Sequence, residues 1–371
     1  MKTVRKLVFR ETLLAVGLAL LGFVALFVFF DFIDELDQVG RVSALDSSRI
    51  FGLIDATFGI VLGLPARVYE LLPICVLIGS IVAMARLGQS SEFTVLRSAG
   101  LGPGRALKLT VTMGLGFALL TFVVGDYLAP LTDRLQVLTR AEFKGGVQPT
   151  DKGVWLKERN DQGSAAVRVA KLRGDGQLEN VRVYNFDTQG ALQSRIDAAL
   201  ARVQTDGSWR LQDATVTRYP TPTDTQQVSQ TAYSSMLWPS NITTGMVTSA
   251  MVNPTQLNTT DLFLYVQHLR ANQQDAQTYE IAFWRKLFYP LSCVVMTFMA
   301  LPFAYLHTRR INVAQFLFLG VMAGIGFVLL SNVMGDIGTL KAWPPWLAAA
   351  TPSALFLLLS LGAFRWLVVR R

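Results

Sequence analysis

Apolar residues gather into six nearly unbroken runs, at about 12–32, 71–85, 106–128, 281–303, 313–334 and 346–368, and polar positions fall mainly between them. A helix needs roughly 20 apolar residues to cross the hydrocarbon core of a bilayer, and the runs are near that length. The second is short as counted. It extends upstream through FGIVLGLPARVYELL, where Pro65 and Pro73 bend the helix and Arg67 and Glu70 stand as intrahelical partners. The pattern predicts a membrane protein built as an α-helical bundle of six transmembrane helices.

Between the third and fourth runs the period changes. From about 129 to 278 the chain is polar, and AVRVAKL, QLENVRVYNF and SWRLQDATVTRY alternate as half-buried strands do. Asp175-Gly176, Gln189-Gly190 and Asp206-Gly207 supply turns. An inserted all-β domain follows, read as a half-open antiparallel sandwich. Its flanks, LTDRLQVLTRAEFK and LFLYVQHLRANQQDAQTYEIAFW, have helical spacing, so it stands on helical stalks. The expected organisation is residues 1–128 for helices one to three, 129–278 for the β domain with its stalks, and 279–371 for helices four to six.

Composition agrees with the bilayer as solvent: of 371 residues, 51% are hydrophobic and only 16% charged. The first run, behind Lys2, Arg5, Lys6 and Arg10, exceeds the 7 to 15 residues of a signal-peptide core, and no small-x-small cleavage site precedes DFIDELD. It is expected to stay as an anchor. Basic residues then set the orientation. With the N-terminus in the cytoplasm, the cytoplasmic flanks hold Arg86, Arg97, Arg105, Lys108, Arg309, Arg310, Arg365, Arg370 and Arg371, while Asp31, Asp34, Glu35 and Asp37 face the other side. Both termini are then cytoplasmic and the β domain is outside. The net charge of +8 is largely topological and calls for no nucleic acid.

Candidate chemistry is sparse. Cys75 and Cys293 lie inside predicted spans and read as small buried apolar groups. His268 and His307 fall on opposite sides of the membrane, so they assemble neither a metal site nor a triad. Asp151, Glu158, Asp161 and Asp175 are scattered, with no nucleophile and base beside them. GLGPGRALK lacks the G-x-x-x-x-G-K-[ST] spacing that cradles phosphates. No catalytic residue and no cofactor is expected on this chain; if ATP is used, another chain holds it.

One polar stretch interrupts the apolar pattern: SSEFTVLRSAG, residues 90–100, on the cytoplasmic side. Ser90 or Ser91 caps a short helix, Glu92 lies in its first turn and Gly100 stops it. Phe93, Leu96 and Ala99 or Gly100 share a face that fits either a socket in a soluble partner or the lipid headgroup region.

MARLGQSSEFTVLRSAGL resembles the cytoplasmic coupling segment of the lipopolysaccharide export permeases, the LptF/LptG family. LFLYVQHLRANQQDAQTYEIAFWRKLFYPLSCVVMTFMALPF and WPPWLAAATPSALFLLLSL resemble that family's fourth and sixth spans, and with the order of spans they lean toward its LptG branch. The resemblance implies a heterodimer with an LptF-like sister on two LptB-like ATPases, which bind ATP and Mg. It implies a periplasmic jellyroll-like domain feeding an LptC/LptA-like bridge, with lipopolysaccharide taken from the outer leaflet of the inner membrane. It places ATPase coupling at Glu92, Phe93, Leu96 and Arg97. A carrier of a phosphorylated lipid also needs cations at the outer interface, where Arg134, Arg140 and Lys144 follow the third span. Gly17, Gly22, Gly114, Gly116, Gly320, Gly324 and Gly326 offer close helix contacts. The family's lysines beyond the first span are replaced here by DFIDELDQVGR, so phosphate contacts do not carry over to that stretch. A membrane-anchored sensor with an outer β domain is the alternative that the same pattern allows.

Overall fold

The computed structural model describes residues 2–42, 50–89, 102–144, 153–160, 163–173, 176–204, 207–220, 227–305 and 313–366. The helices are α1 (Lys2–Leu36), α2 (Leu53–Gln89), α3 (Pro103–Val123), α4 (Ala129–Lys144), α5 (Thr244–Met251), α6 (Thr259–Ala271), α7 (Gln277–Ala304), α8 (Val313–Leu340) and α9 (Pro345–Phe364). A π-helical turn, Val124–Leu128, joins α3 to α4. Among the described residues, six helical stretches are long and apolar enough to span a membrane: Arg5–Leu36, Leu53–Gln89, Gly104–Val137, Gln277–Ala304, Ala314–Leu340 and Pro345–Phe364. As the sequence predicts, the second runs upstream through Pro65 and Pro73.

Two compact units divide the chain. The helical unit comprises Met1–Asp34, Gly63–Thr132 and Glu280–Arg371. Its core is α2 and α7: Leu72, Cys75, Leu77, Ile81 and Met84 of α2 are buried, as are Cys293, Met296, Ala300 and Leu301 of α7. Close approach depends on small residues at specific points. A Cβ on Gly79 would lie 2.5 Å from the Val16 backbone nitrogen, and one on Gly114 would lie 2.6 Å from Val294 Cα. Beside Gly114, the Thr297 hydroxyl donates to the Thr110 carbonyl at 3.2 Å. Gly320 and Gly324 sit against Ile78 and Ile74, whereas a methyl added to Gly17, Gly22, Gly116 or Gly326 would meet nothing within 4 Å. By contrast with α2, the most apolar window of α1 is only 6% buried, leaving Leu14, Leu18 and Leu21 outward. Such a face is at home in lipid or against another membrane chain.

The second unit comprises Glu35–Leu62 and Asp133–Tyr279. Its strands are β1 (Val154–Asn160), β2 (Gly163–Leu172), β3 (Leu178–Phe186), β4 (Leu192–Val203), β5 (Trp209–Arg218) and β6 (Ser229–Trp238). They form one antiparallel sheet in sequence order. Gly176, Gly190 and Gly207 take positive φ between successive strands, at the expected turns. Register builds one apolar row, Leu156 opposite Val167, Val183, Ile196 and then Val216. All five are buried. Each such side chain contributes about 1.5–3 kcal/mol relative to exposure.

The core of this sheet also takes in side chains from the exit segment. Val247 and Met251 of α5, and Tyr265, Val266 and Leu269 of α6, share the sheet's core. Helices of the exit segment therefore pack into the sheet's core, because that segment carries helically spaced apolar residues. The Trp209 indole N–H donates to the Ile242 carbonyl at 2.9 Å and meets Trp238 edge-on, which closes the end of this core.

Candidate functional site

The coupling candidates Glu92, Phe93, Leu96 and Arg97 lie outside the described residues, as do Asp151, Asp161, Asp175 and His307. The segment at 90–101 is bounded by two described helices. It joins Gln89, the last residue of α2, to Gly102, which caps α3. Gly88 packs so near the end of α7 that a Cβ would lie 3.1 Å from the Ala304 carbonyl oxygen. Leu87 and Tyr305, the chain neighbours of these two residues, are buried. The end of α2 that leads into residues 90–101 is thus anchored in the packed core of the helical unit.

The cationic candidates divide. Arg134 forms an ion pair with Asp261, whose backbone N–H in turn donates to the α6 cap, Asn258 Oδ1, at 2.6 Å. Its charge is thereby tied to α6 and partly neutralised. Arg140 and Lys144 lie in the last turns of α4, and their side chains are outside the described set.

Charges inside the helical unit are less legible from sequence. The spacing predicts that Arg67 pairs with Glu70, one turn away. That pair is present at 3.6 Å, but Arg67 makes its shorter contacts with Asp31 of α1, at 2.7 and 3.1 Å, and lies 5.4 Å above the Phe27 ring. The acidic stretch beyond the first run therefore has a cation of its own chain. The sequence carries a signal for it: an arginine in a second span and an aspartate at the end of the first both demand partners. Tyr69 packs at 4.9 Å against the Tyr289 ring, and the Tyr289 hydroxyl donates to the Glu70 carbonyl at 2.7 Å. Tyr69 also occupies the space beside Gly125 of the π turn, where a Cβ would fall 2.2 Å from its ring. Arg285 of α7 donates to Asn332 Oδ1 of α8 at 2.7 Å.

In the second unit, Glu158 is buried and structural. It accepts from Ser240 Oγ and from the Asn241 N–H, both at 2.7 Å. His268 stacks on Tyr265; burial holds its pKa below 6.5, and the Glu158 carboxylate opposes that shift. Among the described residues no group of three or more His, Cys, Asp or Glu is placed to hold a metal ion.

Comparison with known proteins follows the same outline. The family model for "Lipopolysaccharide export system permease LptF/LptG" matches residues 6–366. The chain is 27% identical over 343 residues to "Lipopolysaccharide export system permease protein LptG" of Escherichia coli K12, covering 92% of this chain and 90% of that protein. It is 24% identical over 375 residues to the protein of the same description in Haemophilus influenzae, covering 100% and 99%.

Proposed function

The chain belongs to the LptF/LptG family of lipopolysaccharide export permeases, and on that premise we propose that it is the LptG-type permease half of a lipopolysaccharide exporter in the inner membrane. One observation carries the reading: the family match runs through all six apolar helices and the inserted sheet, not through one element of them.

In this reading the chain is a non-catalytic subunit. It pairs with an LptF-like sister and stands on two LptB-like ATPases that bind ATP and Mg. Residues 90–100 enter the ATPase, with Glu92, Phe93, Leu96 and Arg97 as the contact. Both termini are cytoplasmic, and the β unit is periplasmic and hands lipopolysaccharide to an LptC/LptA-like bridge. Arg140 and Lys144 meet substrate phosphates, and Arg134 joins them when it leaves Asp261.

Depletion tests this directly. Removing the chain from its native bacterium should make newly made lipopolysaccharide accumulate in the inner membrane, and a plasmid copy should restore export. Unchanged delivery to the cell surface without the chain would contradict the proposal. Orientation has its own test. Because both native cysteines are buried, a cysteine at exposed Gln189 should react with an impermeant thiol probe in cells whose outer membrane is opened, and one at Gln89 should not.

A further inference from the structure

Strand pairing sorts the outward side chains of the β unit into rows. Leu156, Val167 and Val183 point into the core, so their neighbours Trp155, Arg168 and Arg182, paired in that order across β1, β2 and β3, project from the opposite, polar face. The next row on that face runs from Lys157 through Ala166 to Tyr184 and Arg195. Arg168 and Arg182 stand directly opposite each other, a pairing of like charges that weakens a sheet. Asp197, opposite Arg182, lies 3.1 Å from that arginine and 2.6 Å from Arg195, so one carboxylate serves both and the cations of the two rows outnumber it. Trp155 stacks on Tyr184 across β2, ring centroids 5.8 Å apart, and is still 51% exposed.

About 23 Å further along β4 from Arg195, at roughly 3.3 Å per residue, the cation pair recurs. Arg202 lies opposite Arg210, and their neighbours Ala201 and Leu211 are buried in the core, so the two arginines project away from it. Both border a groove of about 310 Å³ that Gln177, Gln204 and Gln212 also line. The Gln204 amide oxygen accepts from Arg210 Nε at 2.7 Å, which fixes that guanidinium beside the groove.

An exposed aromatic pair, guanidinium forks and amides are the groups that hold an acidic saccharide. The C–H face of a sugar ring carries the partial positive charge that the negative face of an aromatic ring attracts. Arginine forks match the oxygens of a phosphate or carboxylate, and glutamine amides both donate to and accept from hydroxyls. A small anion alone has no use for the aromatic surface, and the spacing of the two cation pairs suits a chain of sugars. We infer that the polar face of this sheet binds an anionic glycan, with Trp155 and Tyr184 as its platform and Arg168, Arg182, Arg202 and Arg210 as its charge contacts. The inference rests on the proposed function for the periplasmic placement of the β unit, not for the chemistry recognised. Two sources share that chemistry: the sugar portion of lipopolysaccharide and the carboxylate-bearing glycan of the cell wall.

The test uses the full chain, purified in detergent with its copurified partners, and saturation-transfer NMR of three probes: deacylated lipopolysaccharide glycan, a carboxylate-bearing cell-wall glycan fragment, and a neutral dextran oligosaccharide of similar size. Transfer to at least one anionic glycan should exceed transfer to dextran. Affinity should fall about tenfold with Trp155→Ala, the size of one aromatic stacking contact, and be retained with Trp155→Phe. Arg182→Gln should reduce the preference for charged over neutral glycan without lowering the melting temperature. Binding of the lipopolysaccharide glycan assigns the face to substrate, and binding of the cell-wall fragment assigns it to the wall. The second result would hold even if depletion showed no role in lipopolysaccharide export, so the two readings fail separately. Transfer to neither anionic glycan, equal transfer to dextran, or unchanged affinity in a folded Trp155→Ala protein would overturn the inference.

Discussion

Arg67 holds Asp31 with two donors, Nη2 to Oδ1 at 2.7 Å and Nε to Oδ2 at 3.1 Å, and so ties the end of α1 to α2. This matters because α1 is otherwise sparsely packed within the chain. Side chains about a third exposed are screened, and such a pair contributes about 0.5–1 kcal/mol. Asp31→Asn and Arg67→Gln should each lower the melting temperature in detergent, and the double variant should lose less than their sum. Strict additivity would show that the pair carries no coupling.

Gly79 and Gly17 make a matched test of close packing. Gly79→Ala forces a methyl onto the Val16 backbone and should destabilise the helical unit by about 1–3 kcal/mol. Gly17→Ala meets nothing within 4 Å in this chain and should be neutral or slightly stabilising. Thermal unfolding of the two variants side by side decides it; equal effects would contradict the α1–α2 contact.

The β unit should weaken in mild acid. His268 has a folded pKa below its usual 6.5, chiefly through burial, so the unfolded chain takes up the proton first as pH falls. Stability from this group is full above about pH 6.5 and is lost as pH drops through the folded value. Hydrogen exchange of the β2–β5 amides, corrected for intrinsic rate, should accelerate over that window, and His268→Gln should flatten the response. An unchanged slope in the variant would assign the acid sensitivity elsewhere.

Glu92 tests the coupling assignment. As a first-turn residue only, its loss would cost about 0.3–1 kcal/mol of helix stability. As a charge-assisted contact in the ATPase it would contribute roughly 1.5–3 kcal/mol of binding. Glu92→Ala should therefore leave the chain inserted while weakening copurification of the ATPase about tenfold, and Glu92→Lys should be worse. Wild-type assembly in both would remove Glu92 from the interface.

Helices and strands are legible in the sequence because each buries one face against a uniform environment: apolar runs of about 20 residues for lipid, and alternation from Leu156 to Val216 for the sheet. Turn glycines are legible because positive φ needs them. Long-range pairing is not. Nothing local distinguishes Glu70 from Asp31 as the partner of Arg67, and helical spacing in α5 and α6 does not say that these helices pack into the core of the sheet. Gly79 and Gly17 look alike in sequence, since a small residue states only that a neighbour can come near. Arg285 stands inside the fourth apolar run, where its cost is readable but its amide partner on α8 is not.

The central claim is that this chain moves lipopolysaccharide out of the inner membrane when a partner ATPase works. Its most direct measurement is reconstitution of the chain with its copurified partners in proteoliposomes loaded with lipopolysaccharide, followed by photo-crosslinking to a soluble periplasmic acceptor. Transfer should require ATP, should stop when this chain is omitted, and should fall sharply with Glu92→Ala. ATP-independent transfer, or full transfer in preparations lacking the chain, would contradict the account.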